Sequence, residues 1–221
     1  MIFVESEKAF GHFNVTNEII KQITAQGGEV ALVSGSMYRG KGSFDFEKSG
    51  AQLYSLPEVV GRSTTPKDAT TGENYDGKFV SARQAAVTAA CEDFKPDTIL
   101  FEMFPFQTHY REHDAEAAKQ WADQQPHPIP FVSLTRDITH SQHPDFVSKM
   151  IDRYFPQHLL VRGDGRIQLG DTMAEWKNLT PTPNYTGNII APMPPATSLP
   201  DAPVVVFSGG GYIPNMDRDF F

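Results

Sequence analysis

The chain has 221 residues, of which 39% are hydrophobic and 21% are charged, and its formal net charge at pH 7 is −8. This composition is ordinary for a globular protein with one large domain or two small ones, and it excludes a chain that is disordered throughout. The acidic balance argues against general nucleic-acid binding, which needs a dense basic surface.

Short apolar runs alternate with helix-length amphipathic segments, a pattern that predicts an α/β fold: a Rossmann-like parallel sheet flanked by helices. The predicted strands, in chain order, are Ile2–Val4, Val30–Val33, Leu53–Leu56, Thr98–Phe101, Ile129–Leu134 and His158–Val161. The predicted helices are His12–Gln26, Phe79–Phe94, Tyr110–Gln124 and Asp145–Tyr154. Weaker patterns indicate a polar loop at 57–78, a short helix at 171–177 and a short strand at 185–190.

The last part of the chain has a different pattern. Residues 191–203 contain five prolines, which is typical of a linker. A new apolar strand, Val204–Phe207, then runs into a glycine turn that includes Ser208, Gly209 and Gly210. Because such a turn normally opens a βαβ unit of about 30 residues, we predict a domain at 1–190, a linker at 191–203 and the opening of a truncated second domain at 204–221. The alternative is that this strand completes the first sheet at its edge.

Ligands of parallel sheets bind beyond the carboxyl ends of the strands, where helix N-termini also point. Gly11, His12 and Asn14 follow the first predicted strand. Gly11 allows close approach of a ligand to the backbone, and the helix N-terminus favours a neutral His12 imidazole, which can accept a proton from a sugar hydroxyl. The alternative is a histidine that only caps or packs locally.

Two further strand ends carry candidate residues. Glu102 stands beside Phe104 and Phe106, which would form a sugar platform if the rings are exposed and part of the core if they are not. Arg136 would bind a phosphate or a carboxylate, or would pair with Asp137 to fix the loop.

Other features favour structural roles. Residues 162–166, which include Asp164, have the composition of a turn. His140 and His143 near Asp137 have metal-ligand spacing, but a polar loop is the simpler interpretation, so we predict no metal site. The N-terminus has no signal-peptide pattern, and no apolar stretch approaches the about 20 residues that span a bilayer. We therefore expect a cytoplasmic protein, with peripheral contact with the inner membrane left open.

The order of these segments resembles a known family. Gly11-His12 is similar to the Gly-His loop of MurG-like, family 28 glycosyltransferases. The segment from Glu102 to Phe106 resembles the Glu-x-Phe-Pro-Phe stretch of related bacterial predicted glycosyltransferases, whose next motif, Arg-Asp-Ile, is matched by Arg136-Asp137-Ile138. Later segments of the same group are matched by Gly163-Asp164, Tyr185-Thr186-Gly187 and the glycine turn at 208–211.

The resemblance implies the N-terminal half of a GT-B architecture, in which this half holds a sugar or glycolipid acceptor and the C-terminal half binds a nucleotide-sugar, with UDP the expected nucleotide. Transfer inverts the anomeric carbon, no cofactor is needed, and His12 is the expected base. The implied acceptor-binding residues are Gly11, Asn14, Glu102, Phe104, Phe106, Arg136, Asp137 and Asp164. The implied donor phosphate-binding residues are Ser208, Gly209 and Gly210.

Because most donor contacts of this architecture belong to the second domain, we expect the chain alone to have no appreciable transferase activity. Two alternatives stay open: a non-catalytic sugar- or partner-binding module, and a fragment of a sugar-nucleotide epimerase. The face that a second domain would cover is a candidate surface for homo-oligomer formation.

Overall fold

A computed structural model describes residues 1–5, 10–35, 46–60, 67–68, 77–107, 109–139, 141 and 143–189. Its strands are β1 (Ile2–Phe3), β2 (Val30–Ser34), β3 (Ala51–Ser55), β4 (Val59–Val60), β5 (Lys67–Asp68), β6 (Ile99–Glu102), β7 (Phe131–Arg136), β8 (His158–Arg162) and β9 (Asn184–Tyr185). Seven of them form one parallel sheet in the order β3-β2-β1-β6-β7-β8-β9, while β4 and β5 form a separate antiparallel pair.

Helices lie on both faces of this sheet. They are α1 (Phe10–Ala25), α2 (Gly77–Phe94), α3 (Glu112–Ala122), α4 (Pro144–Tyr154) and α5 (Leu169–Thr172), with 3-10 turns at His109–Arg111 and Ala174–Trp176. On one face, Phe13 and Ile20 of α1 pack on Ile2 and Leu32. On the other, α2, α3 and α4 cover a larger core that is built around stacked rings such as Phe3 and Phe101, whose centroids are 4.4 Å apart.

The predicted α/β class, with a parallel sheet flanked by helices, is confirmed. The helix predicted at 171–177 is instead two short turns, because Met173 has extended backbone angles that end α5 after Thr172. The loop predicted at 57–78 contains the β4–β5 pair, and α2 begins within it, at Gly77. The segments at 191–203 and 204–221 lie outside the described residues, so the linker and the second domain stay predictions.

The strands of the parallel sheet all end on the same side, which we call the carboxyl edge of the sheet. Glu5 follows β1, Glu102 ends β6, Arg136 ends β7 and Arg162 ends β8. The N-terminus of α1 lies at the same edge, because the chain enters α1 soon after β1. Residues that are far apart in sequence are therefore brought together there.

Cys91 lies on α2 and is fully buried, and its burial raises the pKa of the thiol to about 12. A buried thiol with so high a pKa is a poor nucleophile, because the thiolate is the reactive form. We expect dithionitrobenzoate to label Cys91 in urea but to leave the native protein unlabelled over the same time. Rapid labelling of the native protein would show that Cys91 is accessible.

Glu116 joins α3 to α4. The Tyr154 hydroxyl donates to Glu116 Oε2 at 2.6 Å, and Arg153 Nη2 donates to the same oxygen at 2.5 Å. The Tyr154 hydrogen bond, helped by Gln120 and by the charge of Arg153, outweighs partial burial and lowers the pKa of Glu116 below its ordinary value of 4.5. A lowered folded-state pKa contributes stability above the unfolded pKa, and this contribution is lost as the pH falls through the folded pKa.

Glu116→Gln should therefore lower the melting temperature at about pH 6, and the difference from the parent protein should shrink at about pH 3. Thermal unfolding followed by circular dichroism measures both. Glu175→Gln is a suitable control, because Glu175 is exposed and makes no ion pair among the described residues. A difference for Glu116→Gln that persists at low pH would assign the effect to packing.

Candidate active site at the carboxyl edge of the sheet

His12 and Glu102 form the central pair of the carboxyl edge. His12 lies in the first turn of α1, and its Nδ1 is 2.9 Å from both carboxyl oxygens of Glu102. The Glu102 side chain is fully buried, whereas the His12 side chain is 18% exposed. A carboxylate only accepts hydrogen bonds, so Nδ1 carries the proton and Nε2 of the neutral ring keeps its lone pair. Within the described part of the chain, Nε2 has no hydrogen-bond partner.

The backbone around Glu102 fixes its position. Met103, with a φ of 60°, turns the chain sharply at the end of β6, and its N–H donates to the Leu134 carbonyl at 2.7 Å. Arg111 is buried, and its Nη1 donates to the Glu102 carbonyl at 2.9 Å. Glu102 is thus held by main-chain contacts, which leaves its carboxylate oxygens for His12 and for one further cation.

That cation is Arg162. Its Nη2 is 3.4 Å from Glu102 Oε1 and 3.8 Å from Met103 Sδ. Its Nε is buried and has no hydrogen-bond partner among the described residues. Burial lowers the pKa of Arg162. Glu102 opposes this effect, the nearby Arg136 adds to it, and Asp137 opposes it more weakly. The charge of Arg162 is thus only partly compensated.

Arg136 and Asp137 also lie at the carboxyl edge, but they do not pair with each other. Arg136 is exposed, and it makes neither a hydrogen bond nor an ion pair with any residue in the described ranges. Asp137 Oδ1 accepts the Ile138 N–H at 2.8 Å, and a Cβ at Gly163 would lie 2.5 Å from Asp137 Oδ2. Asp137 therefore bonds within its own loop and lies against Gly163. The Arg136–Asp137 ion pair, the alternative to anion binding by Arg136, is absent from the described structure.

The two phenylalanines predicted as a sugar platform are core residues. Phe104 is fully buried and packs on Phe101, with ring centroids 5.7 Å apart. Phe106 is also buried, and its ring meets Trp176 edge-on at 5.1 Å. The turn after β6 places both rings inside the larger core, so they cannot stack on a sugar and instead support the turn that carries Glu102.

The remaining predicted residues that the structure describes make no hydrogen bond to His12 or Glu102. Gly11 and Asn14 are exposed near the start of α1. Asp164 lies in the turn after β8, where it pairs with Arg166 at 3.1 Å and accepts the Arg166 N–H at 3.0 Å. Ser208, Gly209, Gly210 and His140 lie outside the described residues.

A second polar cluster lies beneath the carboxyl edge. Arg83 of α2 makes a two-pronged contact with Asp114 of α3, at 2.7 and 2.8 Å, and its Nη2 is 2.6 Å from Glu5 Oε1. Its Nη1 donates to the Pro57 carbonyl at 2.7 Å. Burial opposes the charge of Arg83, but Asp114 and Glu5 outweigh it and hold the pKa well above its ordinary value. Arg111 Nε, 4.0 Å from Asp114 Oδ2, links this cluster to Glu102.

Within the described ranges, no group of three or more His, Cys, Asp and Glu side chains is arranged to hold a metal ion. None of the helices that the structure describes is both long and apolar enough to cross a bilayer.

Solved structures similar to that of this chain include MurG and a glycosyltransferase. The MurG protein of Acinetobacter baumannii has 11% sequence identity and a TM-score of 0.48, over 74% of this chain and 41% of that protein. SsfS6, a glycosyltransferase of Streptomyces sp. SF2575, has 15% identity and a TM-score of 0.43, over 72% of this chain and 49% of that protein. The chain thus spans less than half the length of either protein. No protein-family model and no curated protein sequence matches it.

Proposed function

We propose that this chain is the acceptor-binding part of a glycosyltransferase that uses a nucleotide-sugar donor, with His12 as the general base. The observation that carries the proposal is the His12–Glu102 pair, in which a buried carboxylate fixes the tautomer and orientation of a partly exposed imidazole. This pair lies at the carboxyl edge of a parallel sheet, where ligands of such folds bind.

The geometry supports a direct displacement. An acceptor hydroxyl within about 2.6–3.2 Å of Nε2 loses its proton to the imidazole as its oxygen bonds to the anomeric carbon of the donor. The bond from that carbon to the diphosphate oxygen breaks in the same step, and the diphosphate leaves with the electron pair. Attack opposite the leaving group inverts the anomeric carbon. Glu102 stabilises the imidazolium that forms, as the buried carboxylate of a catalytic triad does for the histidine that it orients.

In the proposed enzyme, this chain and a donor-binding domain have different roles. The residues of the described edge supply a base and two arginines, while binding of the nucleotide-sugar, UDP-linked in our proposal, is assigned to a second domain. The donor is a co-substrate, so the proposed step needs no cofactor. The chain alone is accordingly proposed to bind acceptor without turnover.

Acceptor binding is tested with the 221-residue protein labelled with 15N-histidine. We expect one class in a panel of sugars and glycolipid head groups to shift the His12 Nε2 resonance at saturable concentrations. The same class should leave the exposed His127 unchanged. A panel that shifts neither resonance would overturn the acceptor role.

Turnover is tested by incubating the protein with UDP-sugars and the acceptors that bind. No transfer is expected from the 221-residue chain, and transfer is expected from any longer product of the same reading frame that adds a donor-binding domain. Turnover by the chain alone would contradict the proposed division. Binding without transfer in the longer product would favour a non-catalytic module, and epimerised donor without acceptor would favour an epimerase.

A further inference from the structure

Arg136 and Arg162 stand side by side at the carboxyl edge. They are partners in the parallel register of β7 and β8, so their Cα atoms are separated by about 4.8 Å, the distance between neighbouring strands. Glu102 is in register with Leu134, two residues before Arg136, so all three polar side chains leave the same face of the sheet. The packing of α1 on Ile2 and Leu32 puts His12 over that face as well.

The nearby carboxylates of Glu102 and Asp137 already make hydrogen bonds to other groups. Glu102 shares both oxygens with His12 Nδ1 and reaches Arg162 only at 3.4 Å. Asp137 bonds to its own loop and lies within ion-pair distance of neither arginine in the described structure. Arg136 has no partner within the described ranges, and Arg162 Nε is buried without one. Within the described part of the chain, these two adjacent cations therefore share a single contact with a carboxylate, the 3.4 Å contact of Arg162 with Glu102.

We propose that Arg136 and Arg162 form an oxyanion subsite that binds a carboxylate or phosphate group of the acceptor while its hydroxyl lies on His12 Nε2. Planar guanidinium groups bind such groups through two parallel hydrogen bonds, and a second guanidinium on the next strand adds a further pair of donors. Arg162 and His12 both contact Glu102, so the anion and the reacting hydroxyl belong to neighbouring positions of one molecule.

The lowered pKa of Arg162 is consistent with this arrangement, because burial and the neighbouring Arg136 outweigh the charges of Glu102 and Asp137. An anion bound between the two arginines would supply the missing compensation. This inference rests on the proposed function and narrows it: the acceptor is an acidic sugar or a sugar phosphate, and a neutral sugar is a poor ligand.

The test compares glucose, glucuronate and glucose 6-phosphate as ligands of the protein labelled with 15N-arginine, at constant ionic strength. We expect one or both acidic sugars to shift the Arg162 Nε resonance and to bind about tenfold or more tightly than glucose. A preference for glucuronate identifies a carboxylate ligand, and a preference for glucose 6-phosphate identifies a phosphate ligand. Equal binding of all three sugars, or no shift of the Arg162 resonance, would overturn the subsite.

Arg136→Gln is the decisive variant, because Arg136 is exposed and its loss leaves the core intact. It should weaken binding of the acidic sugar by about tenfold and leave binding of glucose unchanged. Arg136→Lys should restore little, since an ammonium lacks the planar pair of donors. Arg166→Gln is the matched control, because Arg166 is an exposed arginine four residues after Arg162, the last residue of β8, and it already pairs with Asp164. An equal loss in Arg166→Gln would show that only the general charge matters.

His12→Ala separates this inference from the proposed function. We expect the variant to keep the preference for the acidic sugar, because the arginines remain in place. If the preference holds and a longer product that includes a donor-binding domain shows no transfer, the subsite stands and the glycosyltransferase proposal fails. If transfer depends on His12 but acidic and neutral acceptors react equally, the glycosyltransferase proposal stands and the oxyanion subsite fails.

Discussion

Arg83→Met is expected to lower the free energy of unfolding by about 3–5 kcal/mol, the largest stability effect of any substitution that we predict. Arg83 is fully buried, and it is the shared partner of Asp114 and Glu5. Methionine fills most of the volume but removes the shared counter-charge of two buried carboxylates, and for Asp114 the contact of Arg111 at 4.0 Å is a weak substitute. Removal of one partner is the costly case for buried ion pairs. Urea unfolding followed by circular dichroism gives the free energy directly.

Arg153→Met is the matched control for this prediction. Arg153 also pairs with two carboxylates, Glu112 and Glu116, but its side chain is 48% exposed. Solvent screens such a pair, so its loss should cost about 0–1 kcal/mol. A cost for Arg83→Met no larger than that for Arg153→Met would mean that water reaches the carboxylates of Asp114 and Glu5 and that the cluster is not a closed buried network.

His12→Ala is expected to reduce transfer by about 10²–10⁴-fold in any form of the protein that turns over. Alanine removes the proton acceptor but not the surrounding edge, so the turnover number should fall while acceptor binding changes little. The measurement is steady-state transfer with varied acceptor, supported by the acceptor titration described above. A fall in affinity alone, with an unchanged turnover number, would assign His12 to binding.

Glu102→Gln tests how the pair works. The amide has nearly the same shape as the carboxylate but replaces one acceptor oxygen with an NH2 group, which carries two donors. In one orientation it presents an N–H to Nδ1 and shifts the proton to Nε2. It also cannot stabilise the imidazolium by charge. We expect a reduction of about 10-fold or more in the turnover number. His127→Ala is the control, since His127 is an exposed histidine near the start of β7, at the opposite end of the strands, and should change nothing.

Much of the candidate site could be predicted from the sequence, because its polar residues come directly after predicted strands. His12 and Glu102 were identifiable because the carboxyl ends of parallel strands meet at one edge, and the structure joins them at 2.9 Å. The sequence favours Arg136 over Arg162 as a ligand-binding residue, because the glycine and aspartate that follow Arg162 indicate a turn. Arg162 is nevertheless the last residue of β8, and its register with Arg136 puts it beside Glu102. Knowledge of the strand register, not of composition, would have identified it.

Other parts could not be predicted from local pattern. Phe104 and Phe106 have the same sequence signal whether they are exposed or buried, and only the direction of the turn after β6 decides. Arg83 and Asp114 occupy polar positions in helical segments and meet across 31 residues, which no periodicity reveals. Pairing between helices depends on their packing angle and separation, and these are set by the whole core.

Arg111 makes the chemistry at the edge depend on the interior beneath it. It holds the Glu102 carbonyl on one side and approaches Asp114 on the other, so loosening of the contact between α2 and α3 would displace the carboxylate that orients His12. Loss of proton abstraction and loss of tertiary structure should therefore occur in a single cooperative transition on heating. A redesign that makes the interior tighter would, for the same reason, alter the alignment of the base and change the reaction rate.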